Sequence, residues 1–394
     1  MGSKVSWIVF KKELKDLFRD RKTIISSILV PIVIFPLLFF VMGNSIDNMS
    51  KKVEENINIA IKDKGQGSQL VDFIKEQKNI KVVESTDLDE DIKKGKILLA
   101  IEIPENFDES IKNEKNVNLK MIYDNSSQSS QIAVENLNLL IEGYSKQIVE
   151  QRLRARNISG EFLNPINVEV VTTENEEDGF GKLMLSLMLP LLLIIYSIVG
   201  PMGAAVDLGA GEKERGTLEP LLTTQAGRLS LLWGKFFAIT VMGFLSTLSS
   251  LLGLYIATKQ NKGIFYGGAG SLDIKTIILI GLITLLLTML FGALELAISI
   301  FARSFKEAQT YISPLMIIAF LPTYATYMMD AKNIENFFFH IPLANVSCII
   351  KELISGIYNY THIAITFVWI AVYIVGSILF ARYMFSREEV IFRT

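Results

Sequence analysis

The sequence predicts an α-helical membrane protein with six transmembrane helices and an α/β domain inserted between the first two. Half of its 394 residues are hydrophobic and its mean hydropathy is +0.37, which is too apolar for a typical soluble protein. The apolar residues form six runs long enough to cross roughly 30 Å of hydrocarbon as helices. A long polar stretch separates the first run from the second. These features favour membrane helices combined with a solvated domain.

The distribution of basic residues predicts how the chain crosses the membrane. The predicted spans are 23–43, 182–206, 233–257, 275–300, 309–329 and 361–384. Seven basic residues precede the first span, so the positive-inside rule places the N-terminus in the cytoplasm. Alternate crossing then places the loop 207–232, the turn 301–308 and the tail 385–394 inside as well. Three lysines fall on the outer side and count against this topology: Lys259, Lys262 and Lys275.

Residues 1–22 are predicted to form a cytoplasmic interfacial helix. Charged residues alternate there with apolar ones at roughly helical spacing: Trp7, Ile8, Phe10, Leu14, Leu17 and Phe18. A basic amphipathic helix of this kind lies in the membrane interface with its apolar side towards the acyl chains. The alternative is a simple topogenic charge cluster, which needs no helix. The span that follows is long enough to cross, so we expect a retained anchor and not a cleaved signal peptide.

Residues 44–181 are predicted to form an extracytoplasmic α/β domain. Strand character occurs at 57–62, 79–85, 97–103, 117–123 and 166–171. Helical patterns occur at 68–77, 105–113 and, as one long helix, 128–156. Alternating elements of this kind indicate a small α/β fold. Since Cys348 is the only cysteine, no intrachain disulfide can form and the domain depends on its own apolar core.

The loop 207–232 is a charged island between two apolar runs, and we expect the protein to act through it. Three glycines are expected to break the helix, and four charged residues are expected to keep the island in water: Gly209, Gly211 and Gly216, then Glu212, Lys213, Glu214 and Arg215. A two-turn helix is predicted to follow, with Thr217 as N-cap and Pro220 in the first turn. Its apolar edge comprises Leu218, Leu221 and Leu222. Either the protein's own membrane helices cover this edge, or the edge docks into a groove of a partner.

The sequence GEKERGTLEPLLTT at 211–224 closely resembles the cytoplasmic loop of ABC-2 type transporter permeases, in particular the sodium-efflux NatB group. The segments 19–23 (RDRKT) and 302–315 (ARSFKEAQTYISPL) are similar to flanking segments of the same family. The resemblance implies a type V exporter-like fold in a bacterial cell membrane. It also implies a permease homodimer and a coupling helix that contacts a separate ATPase subunit, which binds ATP and Mg. The residues implied to couple are Glu212, Glu214, Arg215, Gly216, Thr217, Leu218, Glu219, Leu221 and Leu222.

Several catalytic motifs are absent from the sequence. No GxxxxGK[ST] occurs, so the chain lacks the loop and lysine that bind nucleotide phosphates in P-loop ATPases. There is no GxSxG or HExxH, and two histidines with one cysteine give no cluster of zinc spacing. We therefore expect no enzymatic activity, no metal and no cofactor in this chain. Membrane lipid is an expected partner and nucleic acid is not.

Three further positions carry hypotheses. Glu295 lies inside the fourth span, where it could line an ion or substrate path, or could reach the interface, cap a neighbouring helix or pair with Arg303. Asp207 closes the second span and fits an interfacial cap better than a ligand. The segment 340–357 is too short and too polar to cross alone, so it is predicted to be re-entrant or interfacial.

Together these observations predict the permease subunit of an ATP-driven exporter, with sodium as the cargo that the resemblance implies. A peptide, a drug-like molecule or a lipid is an alternative cargo. The scarcity of acidic residues in the spans favours such a cargo over a simple cation path, and it also disfavours a secondary ion transporter. A different class remains open: a membrane-anchored sensor or assembly factor whose extracytoplasmic domain binds a ligand, for which the island would tolerate mutation.

Overall fold

The computed structural model describes residues 2–64, 69–159, 171, 176–224, 226–259, 272–387 and 389. The chain forms two compact units: Met1–Met42 together with Thr172–Thr394, and Gly43–Val171. At the N-terminus, α1 (Gly2–Arg19) and α2 (Arg21–Ile24) are followed by a π-helical segment, Ile25–Leu29, and by α3 (Val30–Glu55). The break between α1 and α2 falls at Asp20, whose carboxylate accepts hydrogen bonds from the backbone and hydroxyl of Thr23.

The unit Gly43–Val171 contains a mixed four-stranded sheet in the order β2-β1-β3-β4. Its elements are β1 (Ile57–Asp63), α4 (Gln69–Lys75), β2 (Ile80–Val82), α5 (Leu88–Lys93), β3 (Leu99–Ile103), α6 (Phe107–Lys112), β4 (Lys120–Tyr123) and α7 (Gln128–Ala155). β1 pairs in parallel with β2 and β3, and β3 pairs antiparallel with β4. The strands are apolar on the face that forms the core, with Ile59, Leu99 and Ile101 fully buried.

Four of the five predicted strands are present, each within its predicted range or one residue beyond. The fifth, 166–171, lies outside the described residues except for Val171. The short helix α5 was not predicted. Its N-cap is Asp87, whose side chain accepts a hydrogen bond from the backbone of Glu90.

The other unit is helical after residue 176. α8 (Glu176–Val206) continues through a π-helical segment, Asp207–Gly211, into α9 (Glu212–Glu214). The remaining helices are α10 (Leu218–Leu222), α11 (Arg228–Thr258), α12 (Ile274–Phe301), α13 (Phe305–Ala325), α14 (Ala344–Ile354) and α15 (Tyr360–Ser386). Two short 3₁₀ segments, Ala331–Asn333 and Asn336–His340, precede α14.

Four helical segments in the described residues are long and apolar enough to cross a membrane, against six predicted spans. They are Gly181–Glu214, Arg228–Ala257, Ile274–Phe301 and Tyr360–Ser386. The first predicted span contains a shorter apolar helix, Ile25–Val41. The fifth predicted span, 309–329, corresponds to α13, which begins with the polar sequence FKEAQT and ends at Ala325. The polar first turns lower the apolar content of α13. The structure therefore supports four to five spanning helices in the described residues, whereas six were predicted.

The helices α8, α11 and α12 pack closely around Pro201 of α8. A Cβ atom added to Gly243 of α11 would lie 3.0 Å from Pro201 Cβ and 2.4 Å from Thr288 Cγ2 of α12. Gly292 of α12 is similarly placed against Ile239. The glycines therefore allow helix backbones to approach, as small residues do in membrane bundles.

The segment 340–357, predicted to be re-entrant or interfacial, contains α14, whose eleven residues are all buried. Lys351 on this helix donates hydrogen bonds to the carbonyls of Thr326, Tyr327 and Met329. Cys348 packs in the apolar core beside it, and burial raises the pKa of its thiol to about 12. A helix of this length spans about 16 Å, half the thickness of the hydrocarbon.

Candidate functional site

The charged island begins as a continuation of α8, so the prediction that Gly209 and Gly211 break the helix is wrong. The Ser299 hydroxyl of α12 accepts a hydrogen bond from Ala210 N at 2.9 Å and donates one to the Val206 carbonyl at 3.4 Å. In an α-helix those two backbone groups would bond each other, and the inserted hydroxyl accompanies the π-helical turn. A Cβ on Gly209 would lie 2.3 Å from Ser299 Oγ, so this glycine permits close helix contact.

The helix ends just before Gly216, which was predicted to break it. This glycine has a φ of +66°, which disfavours other residues. Gly216 N donates to the Lys213 carbonyl, and Thr217 N donates to the Glu212 carbonyl. These are the two hydrogen bonds of a Schellman motif. Thr217 occupies the N-cap position of α10, but its hydroxyl donates to the Glu212 carbonyl and makes no capping hydrogen bond.

The four charged residues of the island each contact a different part of the membrane unit. Glu212 forms an ion pair with Lys235 of α11. Lys213 Nζ donates to the Ile300 carbonyl at the end of α12, at 2.7 Å. Glu214 accepts from Phe305 N, the first residue of α13, at 2.8 Å. Arg215 donates a hydrogen bond to the Asp207 carboxylate about two turns back, at 2.7 Å. Helix ends have unpaired carbonyls and N–H groups, which Lys213 and Glu214 satisfy.

Asp207, predicted as an interfacial cap, lies inside the π-helical turn and not at a helix end. Its carboxylate accepts the Arg215 hydrogen bond, and its backbone carbonyl lies 3.5 Å from a second Arg215 nitrogen. The pair ties Arg215, at the C-cap of α9, to the π-helical turn.

A buried cluster of charges joins the island to α1 and α11. Lys235 Nζ lies 2.5 Å from Glu212 Oε2 and 3.9 Å from Glu13 Oε1, and it donates to the Leu208 carbonyl at 2.9 Å. All three side chains are buried, so the expectation that Glu212 lies in water is wrong. Lys12 contacts both Glu13 oxygens at 3.2 Å. Burial raises the pKa of Glu13, Lys235 acts in the opposite direction, and Glu212 adds to the rise.

The short helix α10 turns part of its apolar edge inward. Leu218 is 2% exposed, and Leu221 packs against the apolar cluster shared by α1, α11 and α12. The side chain of Leu222 lies outside the described part of the structure. The chain's own membrane unit therefore covers the edge at Leu218 and Leu221. The outward face carries Thr217, Glu219, Pro220, Thr223 and Thr224.

The carboxylate of Glu295 is fully buried on α12, one turn before Ser299. Neither of its oxygens has a hydrogen-bond partner in the described residues, and no ion pair with Arg303 occurs there. Glu295 therefore does not pair with Arg303 or cap a neighbouring helix within the described residues. Its full burial also excludes the predicted position at the interface. A buried unpaired carboxylate is costly, which sets Glu295 apart from the paired charges of the island.

Three residues of this region were missed from the sequence: Glu13, Lys235 and Ser299. Lys235 had a recognisable signal, because a lysine near the start of an apolar span needs a partner. Ser299 had none, since serines are common in membrane helices. A second buried polar group was also missed: His362 Nδ1 lies 2.7 Å from Glu352 Oε1, and its Nε2 lies 2.7 Å from Asn336 Oδ1.

Comparison with known proteins identifies the family. A family profile described as "ABC-2 family transporter protein" matches residues 21–383. The chain belongs to the ABC-2 transporter family. The ABC transporter permease protein NatB of Bacillus subtilis is 30% identical over 97% of this chain and 98% of its own length. The probable multidrug ABC transporter permease YbhR of Escherichia coli is 23% identical over 63% of this chain and 65% of its own length.

This ABC-2 permease is therefore a multi-pass membrane protein with bacterial homologues. Permease subunits of ABC transporters lack ATPase activity, and an ATPase subunit is their partner. The family assignment made from GEKERGTLEPLLTT is confirmed. The island lies within the matched residues, whereas Lys12 and Glu13 of α1 lie outside them.

Proposed function

We propose that this ABC-2 permease is the membrane subunit of an ATP-driven exporter and that the island 207–232 couples it to the ATPase. In this proposal both termini and the island are cytoplasmic, six segments cross the membrane, and residues 44–181 lie outside, where they gate or receive cargo. Two permeases pair with two ATPase subunits. ATP-driven closure of the ATPases pushes on α10.

One observation carries the coupling proposal: the residues next to α10 contact four other helices. Glu212 contacts α11 and, through Lys235, α1; Lys213 contacts α12; Glu214 contacts α13. A displacement of α10 would therefore reach the whole membrane unit through short polar contacts. Rigid secondary elements joined by packed contacts are the physical means by which such coupling is carried.

This arrangement divides the predicted coupling residues into two roles. Glu219 and Thr217, with Pro220, Thr223 and Thr224, form the exposed face that would contact the ATPase. Glu212, Leu218 and Leu221 face the permease itself and would transmit the movement. Glu214 and Arg215 are exposed but already paired, and Gly216 sets the turn between the two groups.

The test uses the exposed face, because a charge at the buried Leu218 would also disrupt folding. The variant Glu219→Arg/Thr223→Arg is reconstituted with the cognate ATPase, and permease-stimulated ATP hydrolysis is measured. We expect stimulation to fall at least about tenfold, since reversed charge at a docking face costs binding energy. The matched control is Glu335→Arg, which reverses an exposed glutamate on a different segment.

Three outcomes separate the hypotheses. Lost stimulation in the double variant with a normal control supports coupling through α10. Normal stimulation in both rejects it. If the two proteins neither associate nor affect hydrolysis, the sensor or assembly-factor hypothesis becomes the better one.

We propose sodium as the cargo, on the similarity to NatB over almost the entire chain and the NatB-group resemblance of the loop. Glu295 is the proposed contact of the ion path. ATP-dependent movement of radioactive sodium into liposomes, lost with an inactive ATPase, would support this cargo. ATP hydrolysis without sodium movement would keep the exporter hypothesis but reject sodium as the cargo. A peptide, a drug or a lipid would then be the better cargo.

A further inference from the structure

A cavity of about 660 Å³ lies between α1 and the N-terminal part of α11. Its walls are aromatic and apolar, and two serines complete the lining near the ends of the helices. The apolar lining residues are Trp7, Phe10, Leu229, Trp233, Phe237 and Val241. Trp7 stacks on Phe10 at 5.2 Å, and Trp233 stacks on Phe237 at 5.5 Å. The volume falls within the range of roughly 300–1,000 Å³ typical of small-molecule sites.

The cavity continues into an exposed apolar stripe along α11. Phe237 and Val241 line the cavity, and Leu248, Leu252 and Tyr255 follow them on the same face, since these positions lie within about 60° of one another at 100° per residue. Phe237 is 44% exposed, Leu252 55% and Tyr255 54%. On a helix that crosses the membrane, an exposed apolar face of this kind contacts lipid acyl chains.

A basic edge of α1 lies beside the cavity. Lys4, Lys11 and Lys15 are exposed. They share one face of the helix, because Lys11 lies about two turns after Lys4 and Lys15 lies about one turn after Lys11. Lys11 Nζ lies 5.4 Å from the ring centre of Trp7, which lines the cavity. The apolar cavity therefore has lysine side chains at one edge, and their positive charge favours an anionic occupant.

A second copy of the chain is a less suitable occupant. A twofold contact centred on this surface would bring the same patch of both copies together. The lysines of one α1 would then face those of the other, and like charges repel. The charge pattern thus favours an amphipathic anion over a symmetric protein contact.

We propose that the cavity binds one anionic glycerophospholipid of the membrane. One acyl chain lies between α1 and α11 and continues along the stripe, and the phosphate lies beside Lys11 and Lys4. The bound lipid would hold α1 against α11, where Glu13 meets Lys235. The proposal does not depend on the cargo or on the coupling role of α10.

The three tryptophans of the chain allow a direct test. Trp7 and Trp233 line the cavity, whereas Trp369 is on α15, next to Tyr373. The full chain with Trp369→Phe is placed in vesicles containing brominated phosphatidylglycerol or brominated phosphatidylcholine, and fluorescence quenching is measured. The matched control is Trp7→Phe/Trp233→Phe, which retains Trp369 alone.

We expect the cavity tryptophans to be quenched preferentially by the anionic lipid, and Trp369 to show no headgroup preference. Each lysine near an anionic lipid contributes about fivefold in affinity, so Lys4→Gln/Lys11→Gln should lower the preference about 25-fold. Equal quenching by both lipids at Trp7 and Trp233, or a preference that survives the lysine substitutions, would overturn the proposal. Weak quenching by both lipids, together with crosslinking between copies through Leu248→Cys, would assign the surface to a second copy instead.

Discussion

Lys235 Nζ lies 2.5 Å from Glu212 Oε2, and neither side chain is more than 6% exposed. The two residues belong to different helices, α11 and α9, on either side of α10. Their contact holds the end of the long α8–α9 helix against the start of α11. Glu13 of α1 joins the same cluster, so three segments of the chain meet at one lysine.

Replacing Lys235 by Met should strongly destabilise the permease. The change removes the buried cation between Glu212 and Glu13 and leaves only the half-exposed Lys12 beside them, 4.0 Å from Glu212 and 3.2 Å from Glu13. Breaking a buried pair on one side costs about 3–5 kcal/mol. Thermal unfolding of the purified protein measures the effect, with Lys332→Met as the exposed-lysine control. Adding Glu212→Gln and Glu13→Gln should restore most of the loss. If Lys235→Met and the wild type had the same melting temperature, the cluster would contribute nothing to the stability of the fold.

Replacing Gly209 by Ala should destabilise the contact between α8 and α12. The new Cβ would lie 2.3 Å from Ser299 Oγ and 2.7 Å from its Cβ, so a backbone must shift, at a cost of about 1–3 kcal/mol. Gly203→Ala on the same helix has nothing within 4 Å of its Cβ and should be neutral or stabilising. Combining Gly209→Ala with Ser299→Gly should recover part of the loss. Equal melting of the two alanine variants would contradict the close approach.

Replacing Glu295 by Leu should raise the melting temperature while lowering transport. Removing a buried carboxylate that has no hydrogen-bond partner among the described residues relieves its desolvation cost, about 1–3 kcal/mol, and an ion path loses its carboxylate. Glu295→Gln is the size-matched comparison: it keeps a polar group and should stabilise less. A fall in melting temperature for both variants would show that Glu295 has a stabilising partner. Unchanged cargo movement in Glu295→Leu would remove the residue from the transport path.

The raised pKa of Glu13 gives a pH dependence with a defined sign. Because the folded protein binds this proton more tightly than the unfolded chain, the contribution of Glu13 favours folding below its ordinary pKa of 4.5 and is lost as the pH rises through the folded value. Glu13→Gln should therefore gain stability relative to the wild type as the pH rises from about 4 to about 7. Melting temperatures of both proteins across this range test it. The melting temperature of Glu13→Gln minus that of the wild type should therefore rise with pH. A value that stays constant or falls contradicts the assignment.

The sequence predicts the local structure of this chain better than its long-range contacts. The strand at 57–62 alternates apolar and polar residues, and Gly216 ends a helix, because both features depend on neighbours in sequence. Gly209 and Gly211 do not break the helix, because tertiary packing determines the backbone conformation there. Ser299, which lies 90 residues from Gly209 in the sequence, occupies the space that a side chain at Gly209 would need. Helix propensity is overridden by such packing.

At the candidate site, too, the sequence predicts local features better than long-range contacts. GEKERGTLEPLLTT identifies the family and the place of the loop, but it does not reveal which residues face outward. Glu212 looks like a solvated charge until Lys235 is placed beside it, and Leu218 looks like a docking residue until its burial is known. Glu212 depends on contacts with Lys12 of α1 and Lys235 of α11, which no local pattern encodes. The apolar neighbours of Glu295 place it inside a span, but they do not reveal that its carboxylate has no hydrogen-bond partner among the residues that the structure describes.

The buried position of Cys348 makes the permease a natural background for thiol labelling. It is the only cysteine, it lies in the apolar core, and its thiol pKa of about 12 keeps the reactive thiolate scarce at neutral pH. A cysteine introduced at the exposed Thr217 or Thr224 would then be the one that reacts with a maleimide fluorophore. The proposed movement of α10 during an ATPase cycle can thus be tested by spectroscopy without first removing the native cysteine.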